Sequence, residues 1–326
     1  MESKTKNRKT REQVARMVER AFDGLTLAAG DDAVSELKEG MFNAAYQVCL
    51  VDGRQVILKI APPPDAEVMT YEQNIMSTEV ASMRQAAQNP AIPVPEIYYF
   101  DTARDMCDSN YFFMEKLRGE NYGVIRATVP PETQAQLDEQ IGAIIREIND
   151  FTGTYYGYPG NPDLRDTNWK EAFIKICDSV LEDCRRKNGD YWQFNPSEIR
   201  SAILKHAPSL DAVTTPRMVH WDAWDLNFFV EDGRITGLLD FERVLWGDPL
   251  LEAQFRPLFG EGVTGYMRGY KKTSFTHEEE QRNHLYSLHL GLVAKTEGYY
   301  RHYEDDVVAN WAKGLMLPAM QWLKEN

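Results

Sequence analysis

His220-Trp221-Asp222-Ala223-Trp224-Asp225-Leu226-Asn227, followed thirteen positions on by Asp240-Phe241-Glu242, is the stretch on which the reading of this chain turns. An Asp five residues before an Asn lets one loop present a carboxylate that orients a hydroxyl and an amide that binds a metal ion. A later Asp, closing a strand, supplies the charged metal ligand. That order of groups points to phosphoryl transfer from ATP. The residues between agree, because Phe228–Val230 and Ile235–Leu239 are short apolar runs around Glu231-Asp232-Gly233-Arg234, which predicts a β-hairpin with an Asp-Gly turn.

Upstream, Tyr46–Val51 and Gln55–Ile60 predict two strands around the tight turn Asp52-Gly53, with Lys59 inside the second. A lysine among Val, Ile and Leu is costly unless it is paired. After Ala61-Pro62-Pro63-Pro64 a helical pattern runs from about Glu67 to Ala87 and offers two partners, Glu72 and Glu79. Glu79 is preferred because it lies mid-helix, whereas Glu72 sits near the start, where a carboxylate often only complements the helix dipole. A Lys–Glu pair of this kind fixes an ammonium against the α and β phosphates of a nucleotide. The turn Glu39–Ala45 occupies the place of a loop covering phosphates, with Gly40 and Asn43 as its candidate nucleotide-binding residues. It has a single glycine and is neither a Walker loop nor a GxGxxG pattern. Glu96–Asp101 and Tyr111–Leu117 predict two further strands that complete an antiparallel sheet, and Glu115 to Leu117 can offer main-chain groups to a purine ring.

The 326 residues, 43% of them hydrophobic, suffice for a large core in one two-lobed enzyme. Lys and Arg number 36 against 50 Asp and Glu, a formal charge of −14, which argues against general attraction to nucleic acid or anionic membrane and is compatible with a cationic substrate. Cys49, Cys107, Cys177 and Cys184 form no CxxC pair, so neither a zinc site nor a disulfide framework is expected and the cytoplasm is the expected location. No stretch has the apolar length of a membrane span, and the basic start, Met1–Thr10, is expected to be a solvated, frayed tail.

The remaining pattern is helical. Thr10 with Gln13 forms a capping box ahead of a helix reaching about Gly24, and Leu137, Ile141, Ile144, Ile145 and Ile148 mark one apolar stripe of a core helix. Trp169–Lys187, Pro196–His206 and the C-terminal third also read as helices.

The ordered set Lys59, Glu79, Phe113-Met114-Glu115, His220-x-Asp222-x4-Asn227 and Asp240-Phe241-Glu242 with Gly247-Asp248-Pro249 resembles the aminoglycoside phosphotransferase and choline kinase-like superfamily, over roughly Gly40 to Glu252. The resemblance implies an α+β, protein-kinase-like fold in two lobes: residues 1–117 as a small antiparallel sheet with a helix, and residues 118–326 as a larger, mainly helical lobe, with an ATP site between them. It implies that Asp222 orients the acceptor hydroxyl and takes its proton, that Asn227 and Asp240 are magnesium ligands, and that Lys59, set by Glu79, holds the ATP phosphates. Gly40, Asn43, Glu115 and Leu117 complete the nucleotide site.

The implied activity is ATP- and magnesium-dependent phosphorylation of a hydroxyl on a small molecule, with an aminoglycoside-like amino sugar as one acceptor class. The alternatives are a metabolite kinase of the choline, homoserine or fructosamine type, or a catalytically silent nucleotide-binding protein. The chain departs from the family pattern at Trp221, where a small glycine commonly precedes the catalytic Asp, so that Trp221 either narrows the acceptor pocket or fills space behind the loop. Trp224 resembles the fructosamine kinase-like branch.

Three neighbouring residues receive roles from their own chemistry. His220 is expected to pack and hydrogen-bond to backbone rather than act as a base. Asp248 before Pro249 reads as a helix N-cap. Glu242 either faces the acceptor or pairs with Arg243 or Arg256 at the surface.

Overall fold

Alternation along Gln55–Ile60 divides the amino-terminal part of the molecule into two packed layers. Val56, Leu58 and Ile60 point one way and join a core with Val14, Met17 and Val18, whereas Ile57 points the other way and packs with Met76, Val80 and Met83. Lys59 shares the face of Ile57, so its side chain is delivered to the second layer. The computed structural model describes residues 6–38, 42–256, 262–303 and 306–326.

In chain order the elements are α1 (Arg11–Ala21), β1 (Val34–Leu37), β2 (Ala44–Cys49), β3 (Gln55–Ile60), α2 (Ile75–Ala86), β4 (Ile97–Asp101) and β5 (Tyr111–Glu115), then β6 (Glu120–Asn121), α3 (Tyr122–Ile125), α4 (Pro131–Asn149), β7 (Tyr156–Gly157), β8 (Arg165–Asp166), α5 (Trp169–Arg186) and α6 (Pro196–His206). They continue with β9 (Arg217–Val219), β10 (Phe228–Glu231), β11 (Arg234–Leu238), β12 (Leu245–Gly247), α7 (Gly265–Tyr270), α8 (His277–Arg301) and α9 (Val307–Glu325). β1 to β5 form one antiparallel sheet in the order β1-β2-β3-β5-β4, as the strand pattern predicts. The Asp-Gly hairpin is β10 and β11, with Asp232 and Gly233 both at positive φ, and β6 adds a third strand to it. The expected α1 capping box and the apolar stripe of α4 are both present. No helix among the described residues is long and apolar enough to cross a membrane.

Two expectations are corrected. The helix expected from about Glu67 starts only at Ile75, because Gln73 is extended and Asn74 is left-handed; Glu72 lies in a separate short 3-10 turn, Thr70–Glu72. Residues 6–9 of the basic start are not frayed. Asn7 is buried on Asp108 and Ser109, Arg8 pairs with Glu36 at 3.0 Å and Lys9 with Asp108 at 2.9 Å, so these side chains clip the arm to the sheet. Residues 1–5 lie outside the described part.

Helices α4 and α7 approach closely through two glycines. A Cβ on Gly142 would overlap the Tyr266 carbonyl, and one on Gly269 the Glu139 carbonyl, which are backbone atoms unable to yield. Gly269→Ala is therefore expected to cost about 1–3 kcal/mol by overpacking. Gly314→Ala on α9, where nothing lies within 4 Å of the added atom, is expected to be neutral or stabilising by up to about 1 kcal/mol. Denaturant midpoints of the two variants check the contrast.

Candidate active site

Of the two partners offered to Lys59 the structure supplies the preferred one, Glu79, and it adds Asp240. Lys59 Nζ donates to Glu79 Oε1 at 2.6 Å and to Asp240 Oδ1 at 3.1 Å, so one ammonium joins strand β3, helix α2 and the turn after β11. Burial alone would lower the pKa of this amine, but Asp240, Glu79 and Glu242 outweigh it and hold it well above its ordinary value. Burial also pulls Asp240 upward, and Lys59 more than offsets it, leaving Asp240 ionised. Glu79, 1% exposed, is pushed up to about 6 by burial against the pull of Lys59.

Of the two roles open to Glu242, the surface pairing is not the one observed. Glu242 is buried beside Asp240 and accepts from Asn43 Nδ2 at 2.9 Å rather than from Arg243 or Arg256. Burial and the neighbouring Asp240 charge raise its pKa well above the ordinary range. Glu79, Asp240 and Glu242 each offer an oxygen within 4.8 Å of the others. Glu79 Oε2 and Asn43 Oδ1 are buried without a hydrogen-bond partner among the described residues. Three carboxylates crowded around one ammonium, with acceptor atoms left over, suit a hard divalent cation. Gly40 lies outside the described residues.

The loop bearing Asp222 and Asn227 is tied to the same spot through Leu239. The Leu239 amide donates to the Asn227 carbonyl at 2.9 Å, and the Leu239 carbonyl faces His220 Nε2 at 3.1 Å. Asn227 Nδ2 donates to the Asp222 carbonyl at 2.7 Å, which leaves the amide oxygen as the end available to a ligand. His220 packs edge-on against Phe241, and burial lowers its pKa to about 4, so it is a neutral structural imidazole as expected. Asp248 caps the turn Pro249–Leu251 and also binds Arg282 and Tyr286.

Asp222 is 9% exposed, and its Oδ1 accepts from Trp224 Nε1 at 2.6 Å. Burial raises its pKa, the Asp240 charge adds to that, and Arg243 opposes both, with Nε 3.8 Å from Oδ2. The residue before it settles the departure from the family pattern. Trp221 has φ 41°, in the left-handed region where glycine is at ease. It fills space behind the loop, 1% exposed, with its Nε1 donating to the Arg243 carbonyl at 2.6 Å.

Glu252, fully buried, holds this strained backbone. Its two carboxylate oxygens take the amides of His220 and Trp221, each at 2.9 Å, and Asn149 Nδ2 at 2.9 Å. Sequence reasoning missed it, although a Glu directly after Gly-Asp-Pro-Leu-Leu in an apolar run was a visible anomaly.

A second set of missed residues comes from the C-terminal third. Arg243 Nη2 pairs with Glu297 of α8 at 2.7 Å, and its guanidinium lies over the rings of Trp221 and Tyr71. Glu297 also takes the Tyr71 hydroxyl at 2.7 Å, and Arg301 pairs with Glu72. Glu72 is thus a buried partner of Arg301 that also accepts the Met69 amide at 2.8 Å at the start of its own 3-10 turn, because Asn74 detaches it from α2. The available signal was the charged pair Glu297 and Arg301 one turn apart, just after the apolar run Leu290–Ala294 of the same helix.

At the edge of the sheet the Glu115 amide donates to the Glu96 carbonyl at 2.8 Å, and Leu117 packs beside Gly237 in β11. Residues 33–253 match the APH family, the phosphotransferase enzyme family. The protein belongs to that phosphotransferase family. A subtelomeric hrmA-associated cluster protein of Aspergillus fumigatus is 28% identical over 149 residues, 45% of this chain, and the match spans only 28% of that relative's length. Among solved structures, a thermostable mutant of the aminoglycoside phosphotransferase APH(4)-Ia, in ternary complex with AMP-PNP and hygromycin B, shares the fold at a TM-score of 0.64 and 17% identity, covering 95% of this phosphotransferase and 98% of that chain. A candidate fructosamine-3-kinase of Thermobifida fusca does so at 0.64 and 18%, covering 96% and 99%. The expected α+β kinase-like fold is therefore the observed one.

Proposed function

We propose that this phosphotransferase moves the γ-phosphoryl group of ATP to a hydroxyl of a small molecule with magnesium as cofactor. The observation that carries the reading is the convergence on Lys59, which touches both Glu79 and Asp240 while Leu239, the residue before Asp240, binds the loop bearing Asp222 and Asn227. In this reading residues 1–117 form the nucleotide lobe and residues 118–326 the acceptor lobe. Main-chain groups at Glu115 and Leu117 receive the purine, and Gly40 and Asn43 belong to the loop over the phosphates. Lys59, oriented by Glu79, binds the α and β phosphates.

Asn227 and Asp240 would hold magnesium, which would supply positive charge against the phosphate oxygens. Asp222 orients the acceptor hydroxyl and receives its proton while the hydroxyl oxygen bonds to the γ phosphorus and the bond to the bridging oxygen breaks, releasing ADP. Such a reaction needs placement and charge neutralisation more than covalent help, and these residues supply both.

The test is Mg-ATP turnover over a panel of hydroxyl compounds spanning amino sugars, choline, homoserine and ketosamines, with mass detection of the product. A mass gain of one phosphoryl group on a member of the panel is expected. Binding of Mg-ATP with transfer to nothing, water included, would overturn the reading in favour of a silent nucleotide-binding protein.

A further inference from the structure

Asp222 has one carboxylate oxygen already committed. Oδ1 is held by Trp224 Nε1 at 2.6 Å, so an incoming hydroxyl must donate to Oδ2. The nearest cationic group to Oδ2 is Arg243 Nε at 3.8 Å, too long for a hydrogen bond between them. Arg243 Nε is buried and has no hydrogen-bond partner among the described residues. A buried guanidinium N–H left unmade is costly, and the rest of this guanidinium is firmly fixed by Glu297 at 2.7 Å and by the rings of Trp221 and Tyr71 at 5.4 and 6.0 Å.

The separation is one that a single oxygen, set to the side of the line joining the two atoms, can bridge. An oxygen about 2.7 Å from a carboxylate oxygen and about 2.9 Å from a nitrogen subtends roughly a right angle across such a gap, within the range open to a hydroxyl that donates to one neighbour and accepts from the other. We propose that Arg243 Nε–H and Asp222 Oδ2 together form a two-point seat for the acceptor hydroxyl, with Glu297 of α8 bracing the guanidinium. The inference rests on the phosphotransfer reading above. The hydroxyl proton passes to Asp222, one lone pair is fixed by Arg243, and the other forms the bond to the γ phosphorus as ADP leaves. The seat also selects the reacting atom: a protonated amine has no lone pair for Nε–H and meets the guanidinium charge, so transfer goes to oxygen.

Charge and donor roles separate in two variants assayed by ADP formation from Mg-ATP, with water and added glycerol as the nucleophiles. Arg243→Lys keeps the charge but loses the Nε–H, so the rate is expected to fall by about tenfold or more with the acid limb of the pH profile unmoved. Arg243→Met loses both. Its rate falls similarly and its acid limb moves to higher pH, since the Arg243 charge no longer opposes the burial of Asp222. Mg-ATP affinity is expected to stay within about twofold in both, as neither change touches the nucleotide-side groups.

If Arg243→Met does not fold, Glu297→Gln, which retains the guanidinium but loosens its brace, is expected to lower the rate by about threefold or more. Wild-type rates in Arg243→Lys and Glu297→Gln would overturn the seat while leaving the kinase reading intact. A wild-type protein that forms no ADP with any nucleophile would overturn both.

Discussion

Asp222→Asn is expected to lower turnover by about a thousandfold, within the range that a positioned general base contributes, while Mg-ATP affinity changes by no more than about twofold. The substitution is close to isosteric. Trp224 Nε1 can still donate to the remaining amide oxygen, and the loop stays pinned through Asn227 and Leu239, so the loss is chemical rather than structural. An amide cannot take the proton of the acceptor, nor can its NH2 receive a hydrogen bond from it. Steady-state ADP release beside a Mg-ATP binding titration separates the two effects. Near wild-type turnover would remove Asp222 from the chemistry.

The second large effect concerns stability. Glu252→Ala leaves the amides of His220 and Trp221 and the side chain of Asn149 buried without their acceptor, and opens space beneath a residue held at positive φ. At about 1–3 kcal/mol for each orphaned donor, partly relieved by entering water, the loss is expected to be about 3–5 kcal/mol in denaturant unfolding. Glu252 also gives a pH signature. Burial pushes its carboxyl up to about 7 from an unfolded value near 4.5, against the donors that favour the anion. The folded state therefore holds the proton more tightly. The resulting stability is fully present below about pH 4.5 and is lost as pH rises through about 7. Glu252→Gln cannot titrate, so its unfolding free energy is expected to lack that decline. Identical slopes for wild type and Glu252→Gln between pH 4.5 and 7 would contradict it.

What could be read from the sequence was whatever local spacing encodes. Asp222 and Asn227 share one loop, Asp240 follows a hairpin, and Lys59 interrupts an apolar strand, so order and period exposed them. Glu79 was separable from Glu72 by its position along the chain, although the pattern reads as one helix where Asn74 makes two segments. What remained hidden are pairs formed only in space. Arg301 and Glu72 are 229 positions apart, and Asn43 reaches Glu242 across 199. No periodicity links such residues. Trp221 stood out as a departure, but its meaning required its φ and the buried Glu252 that compensates it.

The ion pair between Arg243 and Glu297 bears on how the molecule comes into being. Every residue proposed to hold nucleotide or metal has been translated by position 240, yet the brace on Arg243 belongs to a helix that begins at His277 and ends at Arg301. A nascent polypeptide arrested between those points can carry the whole nucleotide apparatus while the guanidinium beside Asp222 is still unanchored. Competence to transfer would then arrive late in synthesis, after competence to bind.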